Sequence, residues 1–172
     1  MEMTAHAGHK FLKSTPMTRG EYKEFRGWKV PENENPDDDG FLVEYEPDGV
    51  NPPNVPGFDG YVSWSPEKVF TEAYRKTTSM TFSSALEALK RKMKVARTGW
   101  NGKGMYLFIA RIGDFETDAD ISDMCVNADA ASGKLAEVFF HDSIAMKTAD
   151  GSVCMGWLAS QVDMLAEDWT VV

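Results

Sequence analysis

Apolar residues in this 172-residue chain fall into short runs broken by proline, glycine and acid, which predicts many short elements rather than a few long ones. Thr18-Arg19-Gly20-Glu21 has the spacing of a capping box, and Tyr22 and Phe25 continue on one helical face as far as Gly27. Residues 41–45 and 61–64 read as strands, and proline- and glycine-rich loops at 31–40 and 47–60 precede them. Ser65-Pro66-Glu67 predicts a second helix, with Ser65 as N-cap, Pro66 in the first position and an apolar stripe of Val69, Phe70, Ala73 and Tyr74. Residues 76–79 read as a linker.

A second pattern begins at Met80. Ser84-Ala85-Leu86-Glu87 again has capping-box spacing, and Phe82, Leu86, Leu89 and Met93 recur at helical intervals. Residues 95–98 predict a short strand, 99–104 a glycine-rich turn and 105–112 a longer strand. Residues 114–137 are acidic and rich in Ala and Ser, which marks an insertion. Strands at 143–148 and 153–157 are expected to form a hairpin around Ala149-Asp150-Gly151-Ser152. A short helix at 160–166 then precedes a final strand at 169–172. The expected fold class is therefore α+β. A compact antiparallel sheet with a packed helix occupies 80–172, a smaller α+β module occupies 16–79, and 1–15 is a disordered tail.

Composition narrows the functional classes. The chain is 42% hydrophobic and 12% aromatic, ordinary for a globular protein, and no apolar run approaches the roughly 18 residues of a membrane span. Residues 1–13 lack the apolar core of a secretory signal, and Cys125 and Cys154 do not suggest a disulfide framework, so a reducing cytosol is expected. The net charge of −9 argues against DNA or RNA as partner. Between 80 and 113, however, Lys90, Arg91, Lys92, Lys94, Arg97, Lys103 and Arg111 face only Glu87, so a compact anion is acceptable there.

Candidate chemistry centres on two tryptophans. Trp100 lies in Gly99-Trp100-Asn101-Gly102-Lys103-Gly104-Met105, and Trp157 opens Trp157-Leu158-Ala159-Ser160-Gln161. Aromatic plates beside small polar residues suit a nucleotide-like molecule, since rings stack and amides meet phosphates. The bland alternative is core packing. Phe82 is either the first turn of an apolar stripe or an aromatic wall beside the free N–H groups of a helix N-terminus. Asn101 suits a turn as well as a base edge. Ser160 and Asp163 have the reciprocal spacing of a helix cap, which explains them without a ligand. Lys103 and Arg97 are solvated charges or neighbours of a diphosphate. His6 and His9 lack acidic or cysteine partners, and His141-Asp142 lacks a paired nucleophile. Asn35, Asp37 and Asp39 resemble a calcium loop on paper, but Pro31 and Pro36 deny it an incoming helix. No catalytic residue, metal or cofactor is expected.

The string Met80-Thr81-Phe82-Ser83-Ser84-Ala85-Leu86-Glu87-Ala88-Leu89-Lys90, then Val95-Ala96-Arg97-Thr98 and the Trp100 turn, is similar to the second Thoeris anti-defence family of phage proteins. Ile144-Ala145-Met146-Lys147-Thr148-Ala149-Asp150-Gly151 and the segment from Trp157 to Trp169 match it in the same order. The resemblance covers 80–172, with residues 114–140 longer and more acidic than in a minimal member. Proteins of that family capture the cyclic ADP-ribose signal of a bacterial immune system, and some also hold cyclic oligonucleotides. The resemblance implies non-catalytic sequestration of such a signal in the cytoplasm of an infected bacterial host. It also implies a homo-oligomer, dimer or tetramer, with ligand at the subunit interface. The residues it points to as ligand-binding are Phe82, Ser83, Trp100, Asn101, Lys103, Trp157, Ser160 and Asp163. Residues 17–75 resemble a second small phage module with no activity attached to it. Two rival functions remain: a phage interaction or virion-associated protein, and a small nucleotide hydrolase.

Overall fold

Thr18, Thr81 and Ser160 cap the starts of three helices of this protein, seen in a computed structural model that describes residues 3–5, 8–111 and 141–172. The acidic segment expected as an insertion at 114–137 lies outside the described residues. The chain divides into two units, Met1–Arg75 and Lys76–Val172.

In the first unit, strands β1 (Leu12–Pro16), β2 (Gly40–Tyr45) and β3 (Val62–Pro66) form an antiparallel sheet in that order. Helix α1 (Arg19–Phe25) opens with the expected box: Glu21 N–H donates to Thr18 Oγ1 at 3.2 Å, and Thr18 N–H donates to Glu21 Oε2 at 2.7 Å. Tyr22 turns inward from α1 and joins buried Leu42 and Val62, with Met17, Val55, Phe58 and Trp64 packed against them. Alternation in β2 sends Phe41 and Val43 to the opposite face. There Phe70 of α2 (Glu67–Ala73) stacks on Phe41 with ring centroids 4.3 Å apart.

Three expectations for this unit need correction. Residues 12–15, assigned to a disordered tail, are strand β1, paired from Leu12↔Tyr45 to Pro16↔Phe41. Helix α2 has Pro66 rather than Ser65 at its N-cap, with no side-chain cap, because Ser65 and Pro66 still belong to β3. Val69 is also exposed, so only part of the predicted stripe faces inward.

The second unit is a five-stranded antiparallel sheet ordered β7-β6-β5-β4-β8. Its strands are β4 (Val95–Arg97), β5 (Tyr106–Ala110), β6 (Ser143–Lys147), β7 (Val153–Cys154) and β8 (Trp169–Val171). The α+β class expected from the sequence is what the structure shows. Helix α3 (Phe82–Lys90) packs Ala85, Ala88 and Leu89 toward fully buried Val95, Leu107 and Trp169. Burying each of the larger side chains contributes about 1.5–3 kcal/mol. The cap of α3 is Thr81, not Ser84: Thr81 Oγ1 accepts the Ser84 N–H, so the helix starts a turn earlier than the Ser84–Glu87 spacing suggests. Residues 76–79 are no free linker, since the Ser79 N–H closes on the Lys76 carbonyl and the Thr77 carbonyl accepts the Val171 N–H.

After β6 the chain turns through 148–152, and the return strand is shorter than predicted. It stops at Cys154 because Gly156 adopts φ +73, a left-handed conformation costly for other residues. The chain there swings back, and the Trp157 N–H donates to the Ile144 carbonyl at 2.8 Å. Helix α4 (Gln161–Met164) then leads into β8.

Candidate functional site

Four aromatic side chains, drawn from four separate places in the second unit, meet at one end of the sheet. Trp169 in β8 lies at the centre and is fully buried. Phe82, in the first turn of α3, packs on it at 5.5 Å between ring centroids. Trp100 meets it edge-to-face at 5.5 Å, and Trp157 does so at 6.2 Å. Trp100 and Trp157 also meet each other edge-to-face at 6.2 Å, and Phe82 lies 6.5 Å from Trp157. Edge-to-face contact suits the aromatic quadrupole, positive edge against negative face. Phe82, Trp100 and Trp157 remain half-buried while Trp169 is sealed, so three rings form a wall and the fourth its floor.

A charged network fixes this cluster from one side. Arg97 and Trp169 are directly paired across β4 and β8, which puts both side chains on one face. Arg97 Nη1 donates to Asp163 Oδ1 at 2.9 Å, and its Nε donates to Asp168 Oδ1 at 2.8 Å. The same Asp163 Oδ1 faces Trp100 Nε1 at 3.4 Å, and the Asp163 carbonyl accepts from Trp169 Nε1 at 3.0 Å. Asp163 Oδ2 accepts from Ser160 Oγ at 2.6 Å and from the Ser160 N–H at 3.2 Å, completing the capping box of α4. Asp168 Oδ2 accepts the Gly99 N–H at 2.9 Å, and the Asp168 carbonyl accepts the Thr98 N–H at 3.1 Å.

The charges respond accordingly. Burial opposes ionisation of Asp163, but hydrogen bonds from Ser160, Arg97 and Trp100 outweigh it and hold the carboxyl below its ordinary range. Asp168 is held low chiefly by Arg97, with the Gly99 N–H helping against partial burial. Arg97 in turn is raised by Asp168 and Asp163. Both carboxylates are therefore ionised near neutrality.

Of the residues predicted from sequence, the structure brings Phe82, Trp100, Trp157, Ser160 and Asp163 together. Ser160 and Asp163 carry the helix cap that their spacing also suggested. Ser83 is exposed on the first turn of α3, its hydroxyl 2.9 Å from Thr81 Oγ1. Asn101 and Lys103 are exposed on the turn beyond Trp100. That turn has internal reasons for its glycines. A Cβ on Gly102 would come within 2.2 Å of Met105 Sδ, and Gly104 adopts φ +70. Sequence reasoning singles out neither Trp169 nor Asp168 as a site residue and reads Arg97 as a solvated charge or a diphosphate neighbour, whereas it is bound to two carboxylates. The dipeptide Asp168-Trp169 is the available signal, but the partners of Asp168 (Arg97, Thr98 and Gly99) lie 69 to 71 residues upstream. Among the described residues, no three His, Cys, Asp or Glu side chains are grouped to hold a metal, and no helix is long and apolar enough to cross a membrane.

The profile of the Thoeris anti-defense 2-like domain matches residues 80–172, the segment that builds this cluster. The chain is also 42% identical over 95 residues to Thoeris anti-defense 2 of Bacillus phage SP01. That match covers 55% of this chain and 97% of the phage protein. Through residues 80–172 the chain belongs to the Thoeris anti-defense 2-like family.

Proposed function

We propose that residues 80–172 bind and sequester a cyclic nucleotide immune signal of the cyclic ADP-ribose type, or a cyclic oligonucleotide, and so counteract a Thoeris defence in the cytoplasm of the infected bacterium. The observation that carries this reading is the wall of Phe82, Trp100 and Trp157 over buried Trp169. Half-buried rings on a rigid floor offer stacking faces to a purine base, each worth roughly 1–3 kcal/mol. Ser83, Asn101 and Lys103, exposed close in sequence to Phe82 and Trp100, would offer polar and cationic groups to ribose and diphosphate. Ser160 and Asp163 act from behind as the cap of α4.

Binding without turnover is the second part of the proposal. Asp163 and Asp168, close to the rings, are held ionised, the first by Ser160 and Arg97 and the second chiefly by Arg97, and are unsuited to donate a proton to a leaving group near neutral pH. A homo-oligomer with ligand at the subunit interface is the third part. It is supported by Leu158, Val162 and Leu165, which are 87%, 70% and 82% exposed on the segment that carries Trp157. Three strongly exposed apolar side chains within eight residues suit an interaction surface.

Expression in cells carrying an active Thoeris system should restore plaque formation by a Thoeris-sensitive phage. Full restriction despite stable expression of the protein would refute the anti-defence reading. Replacing Leu158 and Leu165 by Glu should lower the mass measured by light scattering, and an unchanged mass would exclude this surface as the subunit interface.

A further inference from the structure

Arg97 is directly bonded to two carboxylates, and both routes from them converge on Trp100. Through Asp163 Oδ1 it sets the oxygen that faces the Trp100 indole N–H at 3.4 Å. Through Asp168, whose other oxygen accepts the Gly99 N–H at 2.9 Å, it fixes the backbone just before Trp100. One route thus holds the ring edge and the other holds the chain that carries it. The Arg97 side chain is only 15% exposed, and its guanidinium is directed to Asp163 and Asp168. The 3.4 Å contact is long for a hydrogen bond, so with Oδ2 held by Ser160 the position of Asp163 Oδ1 is set by its charge-assisted bond to Arg97 rather than by the indole.

We infer that Arg97 is a positioning residue of the aromatic site: it orients Trp100 through Asp163 and Asp168 and makes no contact with the ligand. The inference rests on the nucleotide-binding reading and deepens it. A planar guanidinium suits the role, because its fork reaches two acceptors at fixed angles, which a lysine ammonium on a flexible stem does not.

The test uses the full-length protein and the nucleotide released on heating wild-type protein that has been incubated with an extract of Thoeris-active cells. Affinity for that nucleotide is measured by calorimetry for wild type, Arg97→Gln, Trp100→Ala and the double variant, below the unfolding transition of each. Arg97→Gln is expected to lose about 10-fold, the lower end of the loss of one stacking face. On the Trp100→Ala background, which has no ring left to orient, the same change should cost little more. Arg97→Lys should recover part of the loss. Fully additive losses would make Arg97 a direct ligand contact, and an unchanged affinity would make it purely structural. Either result overturns the inference.

A ligand-free measurement separates this failure from failure of the functional reading. With fluorinated tryptophan incorporated, Arg97→Gln should shift or broaden the Trp100 fluorine resonance and leave those of Trp28 and Trp64 in place. An unmoved Trp100 resonance overturns the inference. Absence of nucleotide from heated wild-type protein instead refutes the binding function and leaves the fluorine result to decide the role of Arg97.

Discussion

The two units spend their tryptophans differently. In the first, Arg19 lies over the Trp64 ring at 4.4 Å from its centroid, and Trp64 Nε1 donates to the Met17 carbonyl at 2.9 Å. Arg26 likewise lies 4.4 Å over Trp28. Each of these indoles has a guanidinium of its own unit against a face, a contact worth about 0.5–1 kcal/mol at an exposed site. In the second unit Trp100, Trp157 and Trp169 meet one another edge-to-face, and the nearby Arg97 is occupied by carboxylates rather than by a ring. A ring already covered by a cation is a structural element. A wall of half-buried rings on a sealed floor suits another flat molecule. The comparison therefore supports the proposed ligand binding by the second unit on physical grounds as well as through its family.

The strongest way to break this contrast is to remove the floor. Trp169→Ala should destabilise the second unit by about 3–5 kcal/mol, as expected for a fully buried large side chain. Denaturant titration should then show an early transition for that unit and an unchanged one for the first. A single transition at the wild-type midpoint would show that Trp169 does not support the cluster.

Removing the wall should act on binding and spare the fold. Trp100→Ala and Trp157→Ala are each expected to weaken nucleotide binding about 10- to 100-fold, the loss of one stacking face at roughly 1–3 kcal/mol. Trp28→Ala, on the cation-covered side of the comparison, should leave the titration curve unchanged. A chain begun at Lys76, where the second unit starts, should keep nearly the full affinity, because both wall tryptophans and Phe82 lie beyond that point. Calorimetry on the soluble, folded shortened protein checks this, and absence of binding would give the first unit a part in the site.

The smallest expected effect concerns acid. Asp163 and Asp168 have folded pKa values below their unfolded ones. Their ionisation therefore stabilises the fold fully above the unfolded carboxylate range of about 4, and the contribution disappears as pH falls through the lower folded values. Urea midpoints of the second unit should be level near neutrality and fall below about pH 4. Asp168→Asn should flatten that fall, and an identical acid slope in the variant would detach the network from stability.

What could be read from sequence follows the range of the interaction. The boxes Thr18–Glu21 and Ser160–Asp163 are closed within three residues, so spacing alone revealed them. The box at Ser84 was misread because a nearer hydroxyl, Thr81, competes for the same role. Strand β1 was invisible because Lys13, Ser14, Thr15 and Pro16 are all exposed and show no alternation, and its partner strand lies far along the chain. Trp100 and Trp157 were visible as candidates through their glycine and serine neighbours. Trp169 looked like an ordinary strand residue, and the bonds of Arg97 to Asp163 and Asp168 span 66 and 71 residues. Such contacts exist only once β4 and β8 have paired.

The most direct measurement of the central claim is capture and release with three forms of the full-length chain. Wild type, Trp28→Ala and Trp100→Ala are incubated with an extract of Thoeris-active cells, washed and heated, and the released small molecules are identified by mass spectrometry. The account predicts an intact cyclic nucleotide from wild type and from Trp28→Ala, and far less from Trp100→Ala. No nucleotide from wild type, equal amounts from all three, or only a linearised product would contradict it.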